Sequence, residues 1–171
     1  ASGRAPAGWT PERFAGHDRM PTHGWESVTV PGAVSAWVSL SERFGKLPFV
    51  TLFEPAIRYA EHGFPVSPVI ATLWKIAGEK LGDKPGFAET FLPDGRAPKA
   101  GEYFASPGHA RTLKLIAETK GKAFYEGEIA EEIAAFAAEH DATLTVADMA
   151  AHTADWCGTI SRSFDDVTLH E

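Results

Sequence analysis

The fold of this chain is decided by residues 33–63, which read AVSAWVSLSERFGKLPFVTLFEPAIRYAEHG. Apolar side chains recur there every three or four residues, which is the period of an amphipathic helix. Gly45 and Gly63 each follow such a stretch and are typical helix ends, and Pro48 suits the start of the second helix. Pro55 lacks a backbone N–H, so it is expected to kink that helix or to mark a new start. The stretch predicts two successive helices.

The helical pattern continues toward the C-terminus. Ser67-Pro68 and Ser106-Pro107 have the composition of helix N-termini, and Thr145 with Asp148 resembles a capping box. A Gly- and Pro-rich connection separates the first two of these starts, and a further helix is expected to end at His140. The buried face expected for the helix after Ser67 consists of Ile70, Leu73, Trp74, Ala77 and Leu81.

The two ends of the chain have different patterns. Residues 1–32 are rich in Pro and Gly without a regular period, and are expected to be an irregular segment on the substrate side. Residues 33–155 are the helical region. In residues 156–171 apolar and polar side chains alternate on both sides of Asp165-Asp166, which predicts a β-hairpin that starts a returning sheet. The predicted fold class is mainly α with a short β-hairpin at the C-terminus, in one domain that is expected to be truncated at both ends.

The composition excludes several classes of protein. With 44% hydrophobic and 23% charged residues, the chain is not of the disordered class. No apolar run approaches the ~20 residues that a membrane span needs. A formal charge of −7 without a Lys/Arg cluster argues against nucleic acid as a partner. Because Cys157 is the only cysteine, an internal disulfide and a four-cysteine zinc site are excluded.

Common catalytic and cofactor motifs are absent from the sequence, including phosphate-binding loops, the G-x-S-x-G elbow and the H-E-x-x-H zinc motif. His17, Asp18 and His23 come closest to a metal-ligand cluster. They lie in a Pro- and Gly-rich stretch without helical spacing, so a solvated loop is favoured, and neither a metal nor a cofactor is expected. Cys157 follows Trp156 and is expected to be a packed thiol.

A series of local motifs resembles the large subunit of the γ-glutamyltransferases, in the order found in that family. The motifs are Val30-Pro31-Gly32-Ala33-Val34, Phe44-Gly45-Lys46-Leu47-Pro48, Glu54-Pro55-Ala56-Ile57, Gly63-Phe64-Pro65-Val66-Ser67, Phe91-Leu92-Pro93-Asp94-Gly95, Thr112-Leu113 with Ile116-Ala117, Phe124-Tyr125-Glu126-Gly127-Glu128-Ile129-Ala130, and Leu144-Thr145 with Asp148-Met149. Each motif is weak alone, but together they cover nearly the whole chain.

The resemblance implies the helical part of the large subunit of an αββα N-terminal nucleophile hydrolase. Such a precursor cuts itself, and the N-terminal threonine of the small subunit becomes the nucleophile, with its own α-amino group as base. That threonine lies outside these 171 residues, so no catalytic residue is expected here and the fragment alone should be inactive. The implied partners are the small subunit of the same precursor and a small γ-glutamyl or amide substrate.

The opening Ala1-Ser2-Gly3-Arg4-Ala5-Pro6 departs from the family pattern. Alignment on Ala5-Pro6 places Ser2 where γ-glutamyltransferases carry an arginine that grips the substrate α-carboxylate, with Arg4 two positions later. Ser2 and Arg4 are therefore the candidate substrate-binding residues, and a surface ion pair is the alternative for Arg4. This form resembles a branch of γ-glutamyltransferase-like amidohydrolases that includes oxamate amidohydrolase.

Three functions remain open from the sequence. The first is hydrolysis or transfer of a γ-glutamyl group from a glutathione-type substrate. The second is hydrolysis of a different small amide, such as oxamate or a β-lactam side chain. The third, of another class, is a helical protein-interaction module. The resemblance implies a periplasmic or secreted protein for a classical γ-glutamyltransferase and a cytoplasmic one for the amidohydrolase branch.

Overall fold

A computed structural model describes residues 3–171, so Ser2 lies outside the described residues. In chain order the helices are α1 (Pro11–Phe14), α2 (Ala33–Phe44), α3 (Phe49–His62), α4 (Pro68–Leu81), α5 (Phe87–Phe91), α6 (Pro107–Thr119), α7 (Lys122–Glu126), α8 (Glu128–Glu139) and α9 (Val146–Ala150), and the strands are β1 (Phe64–Pro65), β2 (Tyr103–Phe104), β3 (Ser161–Phe164) and β4 (Val167–His170). Single 3₁₀ turns occupy Trp25–Ser27 and Pro93–Gly95. The mainly helical fold is confirmed.

The predicted helix ends of α2 and α3 are confirmed. The Gly45 N–H donates to the Ser41 carbonyl oxygen at 2.8 Å, and Gly63 follows α3 with a φ of 83° that favours glycine. Pro55 lies inside one continuous α3, so it does not start a new helix. The loss of one hydrogen bond at Pro55 is tolerated because α3 packs along α6, the most extensive helix pair among the described residues.

The buried face predicted for α4 is wrong for the described residues. Ser67 caps this helix as expected, and its Oγ accepts from the Ile70 N–H. However, Ile70 is 44% exposed, Leu73 is 56% exposed, and no residue of α4 is buried. Trp74, Ala77 and Leu81 are half-buried, and the Trp74 Nε1 donates to the Phe91 carbonyl oxygen at 2.8 Å. The apolar period of α4 was read correctly, but little of the described chain covers that face.

The core consists of two groups of buried side chains. One lies where α2 and α3 meet α6 and α8, and its members are Val34, Phe49, Phe53, Ile116, Ala117 and Ile129. The other joins the segment before α2 to α8 and α9, and its members are Val30, Ala130, Ala137, Leu144 and Met149. The second group fixes the backbone next to the N-terminal residues and therefore positions the candidate site.

The C-terminal hairpin is confirmed by the pairing of β3 with β4. The strands are antiparallel, Ser161 is opposite His170, and Asp165 in the turn has a φ of 53°. Every residue of the hairpin is exposed, including Phe164 at 80%. The short helices α1, α5 and α7 and the β1–β2 pair escaped prediction. Within residues 3–171, no helix has both the length and the apolar character that crossing a membrane requires.

Candidate functional site

The backbone around Arg4 is held closely against the body of the protein. The Val30 N–H donates to the Arg4 carbonyl oxygen at 3.0 Å, and Val30 is fully buried. Gly3 lies so close that a Cβ there would collide with the Val30 carbonyl oxygen. Pro6 is buried as well, whereas the Arg4 side chain is exposed. We call residues 3–8 the N-terminal strap.

Asp148 holds the other end of the N-terminal strap. Its Oδ1 accepts from the Ala7 N–H at 2.8 Å, although the two residues are 141 positions apart. Its Oδ2 accepts from the Thr145 N–H at 2.9 Å and from the Thr145 hydroxyl at 2.7 Å. The capping box predicted at Thr145 is confirmed, and its carboxylate has a second role as an anchor for the strap. Next to it, a Cβ on Gly8 would come within 2.6 Å of the Thr143 Cβ.

Asp148 is buried, with only 5% of the residue exposed, yet its carboxylate is favoured in the ionised form. Burial alone would raise its pKa, but the hydrogen bonds from Ala7 and Thr145 and the nearby positive charge of Arg4 outweigh burial and lower the pKa. Two features of the site follow. A buried anion anchors the strap, and the Arg4 guanidinium lies within electrostatic range of that anion.

His152 lies close enough to Arg4 for the charge of Arg4 to affect its pKa, and it packs on Tyr125. The Tyr125 ring stacks on the His152 ring at 5.1 Å, and the Tyr125 hydroxyl donates to the Pro31 carbonyl oxygen at 2.7 Å. The Ser35 hydroxyl donates to the Gly32 carbonyl oxygen at 2.9 Å and lies 2.7 Å from His152 Nε2. The hydrogen bond between Ser35 and His152 can run in either direction, depending on which ring nitrogen of His152 carries the proton.

The pKa of His152 is lowered, first by burial and then by the positive charge of Arg4, while Asp155 acts in the opposite direction. His152 is thus favoured in its neutral form. His152 and Tyr125 also line an open cleft of about 600 Å³, to which Glu42, Lys120 and Lys122 contribute charged side chains. The Arg4 side chain therefore has a buried carboxylate and a neutral imidazole as its electrostatic neighbours.

The other residues singled out in the sequence lie away from this site. Among residues 3–171 there is no group of three or more His, Cys, Asp or Glu side chains that could hold a metal ion, and this includes His17, Asp18 and His23. Cys157 is exposed, so the expectation of a packed thiol is wrong. Its neighbour Trp156 turns instead to Phe44, with ring centroids 5.6 Å apart, and the Arg43 guanidinium lies 4.3 Å from the Trp156 ring centroid.

Sequence reasoning missed three members of the site, namely Tyr125, His152 and the anchoring role of Asp148. The sequence signal at Asp148 was a helix cap, which is a local feature. Nothing in the sequence pattern indicates that its second oxygen binds the Ala7 N–H. Tyr125 was noted only within a family motif, and the stacking of His152 on it depends on how α7 and α9 pack.

Comparison with known proteins gives consistent relatives. The family model for gamma-glutamyltranspeptidase matches residues 1–171. The oxamate amidohydrolase proenzyme of Klebsiella pneumoniae is 37% identical over 177 residues, which cover 99% of this chain and 33% of that protein. The glutathione hydrolase-like YwrD proenzyme of Bacillus subtilis is 33% identical over 171 residues, with the same coverage of 99% and 33%.

A solved structure agrees with these relatives. The crystal structure of a cephalosporin acylase from Bacillus halodurans superposes with a TM-score of 0.92 and 40% sequence identity, covering 99% of this chain and 33% of that one. The chain thus spans about a third of the length of the curated relatives it matches. A family model that covers all of its residues, together with these relatives, shows that the chain belongs to the gamma-glutamyltranspeptidase family.

Proposed function

We propose that this chain is part of the large subunit of a self-processing hydrolase or acyltransferase with the αββα fold of N-terminal nucleophile hydrolases. The family match supports this proposal, and so do two relatives that are named as proenzymes. The relatives carry the names of hydrolases and acylases, which favours an enzyme over a helical interaction module. In this proposal the nucleophile is the N-terminal threonine of the small subunit, outside these 171 residues.

The N-terminal strap is the part of this chain that we propose to act in the reaction. Arg4 is exposed on a backbone that is hydrogen-bonded at Val30 and Asp148. An arginine that is fixed at its backbone and free at its guanidinium suits bidentate binding of a carboxylate. In the proposed mechanism Arg4 and Ser2 bind the substrate carboxylate. The threonine hydroxyl attacks the amide carbonyl, the amine leaves, and water or an acceptor amine releases the acyl group.

The acyl group of the substrate is proposed to be γ-glutamyl, from a glutathione-type compound. A second candidate is a small amide such as oxamate. It is favoured by Ser2 at the position of the usual arginine and by the 37% identity to an oxamate amidohydrolase. Both substrates carry a carboxylate for Arg4 and an amide for the nucleophile. The two groups are directly bonded in oxamate and separated by a carbon chain in a γ-glutamyl compound, so a fixed Arg4 suits one of these substrates and not the other.

The exposed apolar surface supports a proposed partner, the small subunit of the same precursor. Phe44 is 63% exposed on α2, and the apolar side chains of the hairpin are exposed as well. The hairpin has exposed edges, which a further strand can pair with. Large exposed apolar patches are typical of surfaces that another part of the protein covers.

The experiment uses the complete, self-processed protein. Initial rates are measured with a γ-glutamyl anilide, with and without a dipeptide acceptor, and with oxamate. We expect Arg4→Ala to raise KM for the preferred substrate by roughly tenfold or more, and Arg4→Lys to restore only part of the loss, because a charge-assisted bidentate pair is lost. Unchanged KM in Arg4→Ala contradicts the role of Arg4. Turnover of oxamate alone, with none of the anilide, selects the second candidate.

A further inference from the structure

We propose that Asp148 is a positioning residue for substrate binding, because it fixes the N-terminal strap at Ala7 and thereby holds Arg4 at the substrate carboxylate. This inference rests on the proposed function of Arg4. Asp148 itself does not contact the substrate in this proposal, since it is buried and its acceptor oxygens already have protein donors.

The first step of the argument is how little freedom the strap retains. The carbonyl group of Arg4 is fixed by Val30, and the N–H of Ala7 is fixed by Asp148. Only Ala5 and Pro6 lie between these two hydrogen bonds, and Pro6 is buried with a ring that restricts its φ. The backbone on the C-terminal side of the Arg4 Cα is thus held by two hydrogen bonds. Without the Asp148 bond, one of its two hydrogen-bonded supports is gone.

The second step concerns why this residue is a carboxylate. Oδ1 accepts from Ala7, while Oδ2 accepts from both the N–H and the hydroxyl of Thr145. An asparagine offers only one oxygen, so its amide nitrogen would face either the Ala7 N–H or the Thr145 N–H. An ionised aspartate satisfies both sides at once. Because Thr145 presents two donors and Ala7 only one, we expect the asparagine oxygen to stay with Thr145, so that Asp148→Asn loses the bond to Ala7 with almost no change in side-chain volume.

The third step provides a variant that removes the same bond from the other partner. Ala7 is exposed and occupies the first central position of a turn that is closed by the Trp9 N–H and the Pro6 carbonyl oxygen at 3.0 Å. Proline is favoured at this position of a turn. Ala7→Pro therefore deletes the N–H that binds Asp148 Oδ1, and its ring Cδ takes the place of that hydrogen and forces the strap away from Asp148 without changing a residue of α9.

The experiment measures KM, kcat and Tm of the complete, self-processed enzyme carrying Asp148→Asn, Ala7→Pro, Arg4→Ala or the double variant Asp148→Asn/Arg4→Ala. Ser67→Ala is the control, because it removes the side-chain cap of α4, which is a different helix from α9. We expect Asp148→Asn and Ala7→Pro each to raise KM by roughly tenfold, with kcat changed much less, since loss of positioning weakens a charge-assisted pair. The control lowers Tm and leaves KM at the wild-type value.

The double variant tests whether Asp148 acts through Arg4. We expect its KM to equal that of Arg4→Ala alone, because the strap has nothing left to position. Additive effects of the two substitutions overturn the inference, as does a wild-type KM in both Asp148→Asn and Ala7→Pro. These results differ from failure of the proposed function, in which Arg4→Ala itself has a wild-type KM.

Discussion

At the scale of single residues, the positive charge of Arg4 shifts the pKa values of Asp148 and His152 in the same direction. The positive charge of Arg4 helps to lower the pKa of Asp148 and contributes to lowering the pKa of His152. A histidine whose pKa is lowered on folding binds fewer protons in the folded state than in the unfolded state. Its neutral form therefore stabilises the fold fully above its ordinary pKa of 6.5, and this contribution is lost as the pH falls below that value toward the lower folded pKa.

Removal of the Arg4 charge changes this pH dependence. We expect the pKa of His152 to rise in Arg4→Gln, because one of the two causes that lower it is removed and Asp155 remains. The imidazole C–H signals in an NMR titration of the labelled protein measure this directly. Lys122→Gln is the control, since Lys122 lines the same cleft but is not among the causes of the shift. An identical titration of His152 in wild type and Arg4→Gln contradicts the placement of Arg4.

At the scale of elements, the features that the sequence predicted are local. Helix ends at Gly45 and Gly63, the cap at Ser67 and the capping box at Thr145 each depend on residues within four positions of one another. The hairpin depends on alternation over a similar distance. The prediction of a buried face on α4 failed because periodicity indicates which side of a helix is apolar, but not whether another part of the protein covers that side.

The contacts that build the candidate site could not be predicted for a related reason. Arg4 was identified through a family resemblance, but its environment comes from pairs that are far apart along the chain. The separations are 141 residues for Ala7 with Asp148, 117 for Ser35 with His152, and 94 for Tyr125 with Pro31. Such pairs depend on how the helices pack together, and no local pattern carries that information.

The junction between α3 and β1 provides a test of one local prediction. Gly63 has a φ of 83° and a ψ of 167°, and a Cβ there would lie 3.1 Å from the Phe104 carbonyl oxygen. This conformation is essentially restricted to glycine, so we expect Gly63→Ala to reduce the free energy of unfolding by about 1–3 kcal/mol. Denaturant titration measures the change.

Gly108 in α6 is the matched control for this substitution. It lies inside the helix, and a Cβ there would meet no heavy atom within 4 Å. Gly108→Ala is therefore expected to stabilise the protein by about 0.4–1 kcal/mol, since it lowers the entropy of the unfolded chain. Equal effects at the two glycines would mean that the backbone conformation at Gly63 is not the cause.

At the scale of the whole molecule, apolar surface is distributed unevenly. The clusters around α3, α6 and α8 are well buried, whereas α4, the hairpin and one side of α2 expose large apolar side chains. Trp37, Leu40, Phe44 and Leu52 line an apolar cleft of about 510 Å³ between α2 and α3. The described residues therefore combine a well-packed core with exposed apolar surface, as expected for a part of a protein that another subunit or segment covers.

This distribution predicts how the 171-residue chain behaves when it is produced by itself. We expect it to bind the hydrophobic dye ANS, and we expect Leu40→Ser in the apolar cleft to lower the dye fluorescence. Lys75→Ser is the control, because it removes an exposed side chain on α4 that does not line the cleft. If the two variants bind the dye equally, the cleft is not an accessible apolar surface. The complete protein is expected to bind less dye, since the small subunit covers these faces in the proposed arrangement.

The long separation between Ala7 and Asp148 also has a consequence for synthesis on the ribosome. The strap is translated 141 residues before its anchor, which at 5–20 residues per second is a delay of roughly 7 to 30 s. During that interval the Asp148 carboxylate is not yet present for the nascent strap to bind. Bringing Ala7 and Asp148 together also closes a long loop, which adds an entropic cost that the formation of a local helix does not have. Arg4 is therefore translated early, but its backbone reaches its final position only after α9 has emerged and folded.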